Sequence, residues 1–402
     1  MGFILSLLYI AIAILSPAVL VPWLAPYHLQ IWMGLATIFA SIPSIPNFKI
    51  LSVPQVRFLG LVTAGIAASF LVKGWLGGTI EALNVFIPNA IVFFFVLINF
   101  RSLSRLHYLA MLLLGISLYL VIAGGIAYVA GDPTNPMIYV QSMEDHTWFP
   151  RIRGFGFLND PNDLAQFLLA VLPLLWINWR EKRKARNFAL VLLPAAILLT
   201  GIFLTHSRGA MIALAVVTLF AFKDVLGTVW STILAGGGFV GATLLGFSGG
   251  RDVSVEAGAG RIEAWGAGIG MLISHPLFGV GYNQFYDYYE IAAHNTFIHC
   301  AAELGLFGYF FWMALVVFSM SDLGMIVKGS EIPAPKVEAE ERISYIWRFL
   351  PNKRKESKAD EVVVSPVRPV QPFTLNTQEL PATDVAELKR WATVVRLATG
   401  QI

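Results

Sequence analysis

The chain has 402 residues, 56% of them hydrophobic and only 13% charged, about half the charged share of a soluble domain (about 25%). That balance excludes a water-soluble globular fold. A lone cysteine, Cys300, excludes a disulfide framework and any paired-cysteine metal motif. The net charge of +3 hides a division: residues 1–321 carry 16 basic and 14 acidic side chains, leaving 12 and 11 for residues 322–402, so a polar tail follows a membrane body.

Apolar stretches able to span the roughly 30 Å of hydrocarbon in a bilayer are predicted near 3–23, 28–44, 58–74, 83–100, 106–129, 162–179, 188–205, 208–222, 226–246 and 295–320, ten helices in an all-α membrane fold. The first has no basic n-region and is expected to be a retained helix, not a cleaved signal. Orientation follows from basic residues, which gather in cytoplasmic loops. Arg180, Lys182, Arg183, Lys184 and Arg186 in WREKRKARN, with Arg101 and Arg105 in RSLSR, are expected inside. Counting spans from these anchors puts Lys49, Arg57, Lys223, the N-terminus and the tail inside as well, and the loops 130–161 and 247–294 on the outer face. No internal repeat is visible, which counts against transport. The tail 322–402 is Pro-rich and charged and is expected to be largely disordered. Within it, 384–397 sets Val385, Leu388, Trp391 or Ala392, and Val395 at helical spacing beside Lys389, Arg390 and Arg396, which suits an anionic lipid surface or an ordinary amphipathic helix.

Polar side chains gather in three places. In RIRGFGFLNDPNDLAQF, Asp160, Asn162 and Asp163 around Pro161 match a helix start; Arg151 and Arg153 are either interfacial cations or ligand contacts, and Gly154 and Gly156 allow close backbone approach. In THSRGAM, Arg208 is hemmed in by apolar sequence; burying such a charge costs about 2.5–3.5 kcal/mol, so it is expected to face a polar cavity, a partner or a substrate. A Ser207–His206 nucleophile is disfavoured, because neighbours on a helix point about 100° apart and no third orienting group is present. In the second outer loop, GRIEAWGAGIGMLISHP predicts an interfacial helix with Arg261 in its first turn, closed by His275 and Pro276. Tyr282, Phe285, Tyr286, Tyr288 and Tyr289 suit an aromatic belt or a sugar-stacking surface. His294 and Asn295 then open the last span. His294 is a solvated residue or a base, and Asn295 a cap; His299 and Glu303, four apart, share a helix face and are expected to pair.

Taken in order, GFLNDPNDLAQ, SRGAM, GRIEAW with HPLFGVG, and AHNTFIHCAAELGLFG resemble the O-antigen ligase and polymerase superfamily of bacterial envelope glycan transferases, over about residues 154–309. The resemblance implies a multi-pass enzyme of the bacterial inner membrane, acting on the outer, periplasmic face in polysaccharide and lipopolysaccharide biosynthesis. It implies transfer of a glycan from undecaprenyl pyrophosphate to a hydroxyl acceptor (lipid A core, protein or another glycan), with no metal or nucleotide cofactor and no nucleic acid. It gives Arg208 and Arg261 to the pyrophosphate and His294 to the acceptor hydroxyl, with Arg153, Asn159, Asn162, Asn295 and Glu303 in support. The chemistry is coherent: guanidinium groups hold phosphate bidentately and keep their charge, while an imidazole accepts a hydroxyl proton. Members of the family continue with further spanning helices after the AHN helix, whereas this sequence stops at Ile402, so a truncated, inactive member is an alternative expectation. A carrier of lipid-linked sugars or anions using the same arginines, and a non-catalytic scaffold, are the other readings the residues leave open.

Overall fold

The computed structural model describes residues 1–45, 50–142, 148–245, 259–331 and 391–394. Lys49, most of the tail and most of the 384–397 helix lie outside these residues. The elements in chain order are α1 (Gly2–Leu15), α2 (Pro17–Leu20), α3 (Leu29–Ser41), α4 (Pro54–Leu71), α5 (Leu76–Asn99), α6 (Leu103–Ala130), β1 (Ile138–Ser142), β2 (Trp148–Ile152), α7 (Pro161–Val171), α8 (Lys184–Asn187), α9 (Leu193–Leu204), α10 (Arg208–Leu244), α11 (Ala259–Ser274), α12 (Phe285–Tyr288) and α13 (Thr296–Glu331).

Among the described residues, five helical runs are long and apolar enough to cross a membrane: Pro54–Leu71, Leu76–Asn99, Leu103–Ala130, Lys184–Leu204 and Thr296–Gly324. They correspond to five of the ten expected stretches. Of the others, 28–44 forms a shorter apolar helix, Leu29–Ser44, and the remaining four depart from single unbroken spans for identifiable reasons. The stretch 3–23 breaks at Ser16, which takes a left-handed conformation (φ 42) immediately before Pro17; the 14 residues of α1 cover about 21 Å at 1.5 Å per residue. The stretch 162–179 passes from α7 into a tighter 3-10 run, Leu172–Asn178, at Pro173, which has no N–H to continue the helix. The two stretches 208–222 and 226–246 run together as α10, whose helical geometry fails only at Gly227 (φ 76, ψ 166).

The chain divides into two units, the first made of Met1–Ile42, Phe95–Val253 and Leu380–Ile402. In a bilayer, apolar burial against lipid gains little, so helices adhere through close small-residue contacts and internal hydrogen bonds. Both devices occur. Asn99 donates to the hydroxyls of Ser6 (3.0 Å) and Ser41 (2.9 Å), all three being buried. Gly201 of α9 abuts Val121 of α6 so closely that a Cβ would collide with the valine methyls. The outer loop expected at 130–161 adds an antiparallel hairpin to the all-helical scheme, with Ile138 opposite Ile152 and Tyr139 opposite Arg151. Ile138 and Ile152 are buried, Ile152 beside Gly124 of α6. The helical turn Trp391–Val394 buries Val394 with Ala110 and Ile177.

The second unit comprises Pro43–Phe94 and Ser254–Glu379. Its spine is the antiparallel pair α4 and α13. Gln55 donates to Asp322 (2.5 Å) at one end; Phe58 meets Phe318, with ring centroids 5.0 Å apart; Gly65 touches Gly308; and Phe70 shares a core cluster with Leu304, Val62, Ile66 and Ala82. The C-terminal end of α4 therefore lies level with the start of α13.

Candidate functional site

In the first unit, the polar residues that precede α7 mostly hold one another. Asp160 caps α7, its carboxylate accepting from Asn162 N–H (2.6 Å), as the Asp-Pro-Asn pattern predicts. Arg153 donates to the Pro136 carbonyl (3.0 Å) and to the Asn159 side chain (2.8 Å), with Tyr139 beneath its guanidinium. Arg151 is only 4% exposed, so it is not a solvated cation. It donates to the Thr205 carbonyl (2.7 Å) and to Asn162 Oδ1 (3.2 Å), tying β2 to the end of α9 and the start of α7. Burial pushes its pKa below the ordinary guanidinium value, Asp160 and Tyr139 oppose this, and the charge of Arg208 adds to it. Arg208 is thus near enough to Arg151 for its charge to be felt there. It opens α10, whose cap is Ser207, accepting from Ala210 N–H (3.4 Å). His206 is buried among Phe149, Phe203 and Tyr128. A capping serine beside a caged histidine is a structural pair, not a nucleophile and its base.

In the second unit, α11 carries Arg261, exposed in its first turn. One turn on, Trp265 Nε1 donates to the Ala293 carbonyl (2.7 Å), the peptide group immediately before His294. Gly260 lies beside Ile291. The structure thereby brings the Arg261 turn and His294 onto one local scaffold. His294 is exposed and left-handed (φ 46), a conformation uncommon for a side-chain-bearing residue and concentrated at functional sites. Asn295 takes the capping role, its Oδ1 accepting from Phe297 N–H (3.0 Å) and Ile298 N–H (3.4 Å).

Behind His294, α13 is broken open at Gly305 (φ 62, ψ −169). In an unbroken helix, Leu306 and Phe307 N–H would donate to the Ala302 and Glu303 carbonyls. Here those four groups pair instead with the segment following α11. Leu306 donates to Pro276 O (2.8 Å) and Phe307 to Leu277 O (3.1 Å), while Val280 and Gly281 donate to Ala302 O (2.9 Å) and Glu303 O (3.0 Å). Gly279 (φ 69) completes the fit, since a Cβ there would strike the Glu303 carbonyl. The HPLFGVG and AELGLFG motifs are the two halves of this joint.

The Glu303 side chain secures it. Its carboxylate, 4% exposed by residue, accepts from Asn283 N–H (2.9 Å), from Phe285 N–H (3.1 Å) and from His299 Nε2 (3.0 Å), the His299–Glu303 pairing expected from their spacing. The His299 ring stacks on Phe285, which is fully buried and so leaves the aromatic belt; Tyr286 and Tyr288 remain exposed. Replacing Glu303 with Gln offers an amide N–H where two backbone donors converge. It should lower unfolding stability by about 2–3 kcal/mol, the scale of a hydrogen bond to a charged group, measured by thermal unfolding in detergent against the wild-type chain.

Two features were invisible as site residues in the sequence. Trp265 is there only the last letter of GRIEAW, and Gly305 one more glycine in an apolar run.

Residues 193–313 match the O-antigen ligase family. The match runs from α9 into α13 and contains Arg208, Arg261, His294, Asn295 and Glu303. The GFLNDPNDLAQ segment, with Arg153, Asn159 and Asn162, lies before it. Over that segment the chain is thus similar to the O-antigen ligase and polymerase superfamily, and its apolar helices suit a multi-pass membrane protein. No curated protein and no solved structure matches the chain.

Proposed function

We propose that the chain transfers a glycan from a polyprenyl pyrophosphate, undecaprenyl pyrophosphate in the bacterial inner membrane, to an acceptor hydroxyl on the outer face. The observation that carries this reading is the O-antigen ligase match, because it takes in Arg208, Arg261 and His294 together. His294 removes the proton from the acceptor hydroxyl as its oxygen attacks the anomeric carbon. The new glycosidic C–O bond forms as the bond to the pyrophosphate oxygen breaks on the opposite face, inverting the anomeric centre. The electron pair leaves with the pyrophosphate, where the guanidinium groups of Arg208 and Arg261 stabilise the added negative charge. Trp265, through the Ala293 carbonyl, is a positioning residue for His294.

The test is reconstitution of the full chain in lipid nanodiscs with a polyprenyl-pyrophosphate oligosaccharide and separate lipid A core, protein and glycan acceptors. Glycan appearing on an acceptor, with free carrier pyrophosphate released in equal amount, is the expected result. Movement of the donor across the bilayer of proteoliposomes without any transfer would overturn it in favour of a carrier. Arg208→Lys and Arg261→Lys keep a positive charge but lose the bidentate fork, and each should lower transfer about ten- to hundredfold.

A further inference from the structure

A second group of polar side chains lies at the same end of the second unit as His294 and takes no part in the proposed transfer step. Lys73, just past the end of α4, is exposed, yet its ammonium is bent back onto the Val280 carbonyl (2.6 Å) and the Tyr288 hydroxyl (3.3 Å). It also lies 5.7 Å from the Tyr288 ring centroid. A lysine with no task at a membrane surface extends into water; this one is held against the joint that closes the break in α13. An ammonium has three donors, and two are used. Among the described residues, no carboxylate pairs with it. Tyr288 also neighbours the half-buried His275 ring, 6.3 Å away by centroid, whose Nδ1 is engaged by the Ser274 hydroxyl (3.0 Å). The nearest acidic residue in sequence, Asp287, precedes Tyr288 on α12 and points about 100° away from it.

We propose that Lys73, Tyr288 and His275 form a subsite for an acidic sugar residue, a hexuronate in the glycan. The ammonium's third donor meets the carboxylate, and the half of the Tyr288 surface left exposed offers the sugar an apolar contact beside it. This deepens the glycan-transfer reading and rests on it for the identity of the ligand. The joint supplies rigidity: Val280, which holds Lys73, is itself fixed to Ala302.

Binding decides the matter without any transfer step. The full chain, in nanodiscs of zwitterionic lipid, is titrated with a trisaccharide ending in a hexuronate and with its neutral hexose counterpart. Wild type should favour the acidic sugar about tenfold at low salt, and the preference should shrink as ionic strength rises. Lys73→Met should bring the ratio to about one, Lys73→Arg should keep most of it, and Tyr288→Phe, which preserves the ring and the fold, should lower it two- to threefold. Equal or absent binding of the two sugars by wild type, or a preference that survives Lys73→Met, overturns the subsite. Loss of the wild-type preference on adding anionic phospholipid also overturns it, because the anion would then be a headgroup. A hexuronate preference in a chain that performs no transfer would separate failure of the transfer reading from failure of this one.

Discussion

Replacing His294 with Asn should lower glycan transfer by about a hundred- to ten-thousandfold, the usual contribution of a positioned general base, with little change in folding. Asparagine is the informative substitute because it tolerates the left-handed backbone that His294 adopts (φ 46), so a loss of activity cannot be assigned to backbone rearrangement. The Trp265–Ala293 hydrogen bond and the Asn295 cap both use other groups and should survive. The measurement is acceptor-dependent consumption of the lipid-linked donor at saturating donor, accompanied by a melting curve. Donor should persist unconsumed in the variant. Transfer within about threefold of wild type would remove His294 from the proton-transfer role and leave the transfer reading without a base.

Replacing Gly305 with Ala should destabilise the second unit by more than about 3 kcal/mol. Two independent terms add. The backbone at φ 62, ψ −169 is essentially closed to any residue with a Cβ, a penalty of about 1–3 kcal/mol. The added Cβ would also fall 2.5 Å from Gly279 N and Leu277 C. Both are backbone atoms in the paired joint, so neither moves aside without loosening hydrogen bonds worth about 1 kcal/mol each. Gly60→Ala is the control: it lies within α4, and nothing approaches its Cβ position within 4 Å, so it should be neutral or slightly stabilising through helix propensity. Thermal unfolding of the two variants in the same detergent compares them. Similar melting temperatures would mean that the break in α13 tolerates a side chain.

How much of this was legible in the sequence depends on the range of each interaction. The Asp160 cap, the Asn295 cap and the His299–Glu303 pair are local, set by spacings of two to four residues, and each was visible as a motif. Apolar runs identified α4, α5, α6, α9 and α13 because hydropathy is additive along a helix. What failed were features whose cause lies elsewhere in the chain. Arg151 looked solvated because nothing near it in sequence reveals that β1 and β2 pair and carry it inward to the Thr205 carbonyl. The break in the first apolar stretch is the exception, since its cause, Pro17 after a left-handed Ser16, is local. Gly305 and Gly308 stand three apart in one apolar run, yet one breaks the helix against a distant loop and the other remains helical against Gly65; only the tertiary partner distinguishes them.

The joint at Gly305 is made by peptide groups, not side chains, and that shifts the constraint on its sequence from chemistry to count. Leu277, Phe278 and Val280 could be exchanged for other apolar residues without touching a hydrogen bond, whereas one residue more or fewer between Pro276 and Gly281 would put the four pairings out of step. Related chains that share this architecture should therefore vary in the letters of that segment and agree in its length.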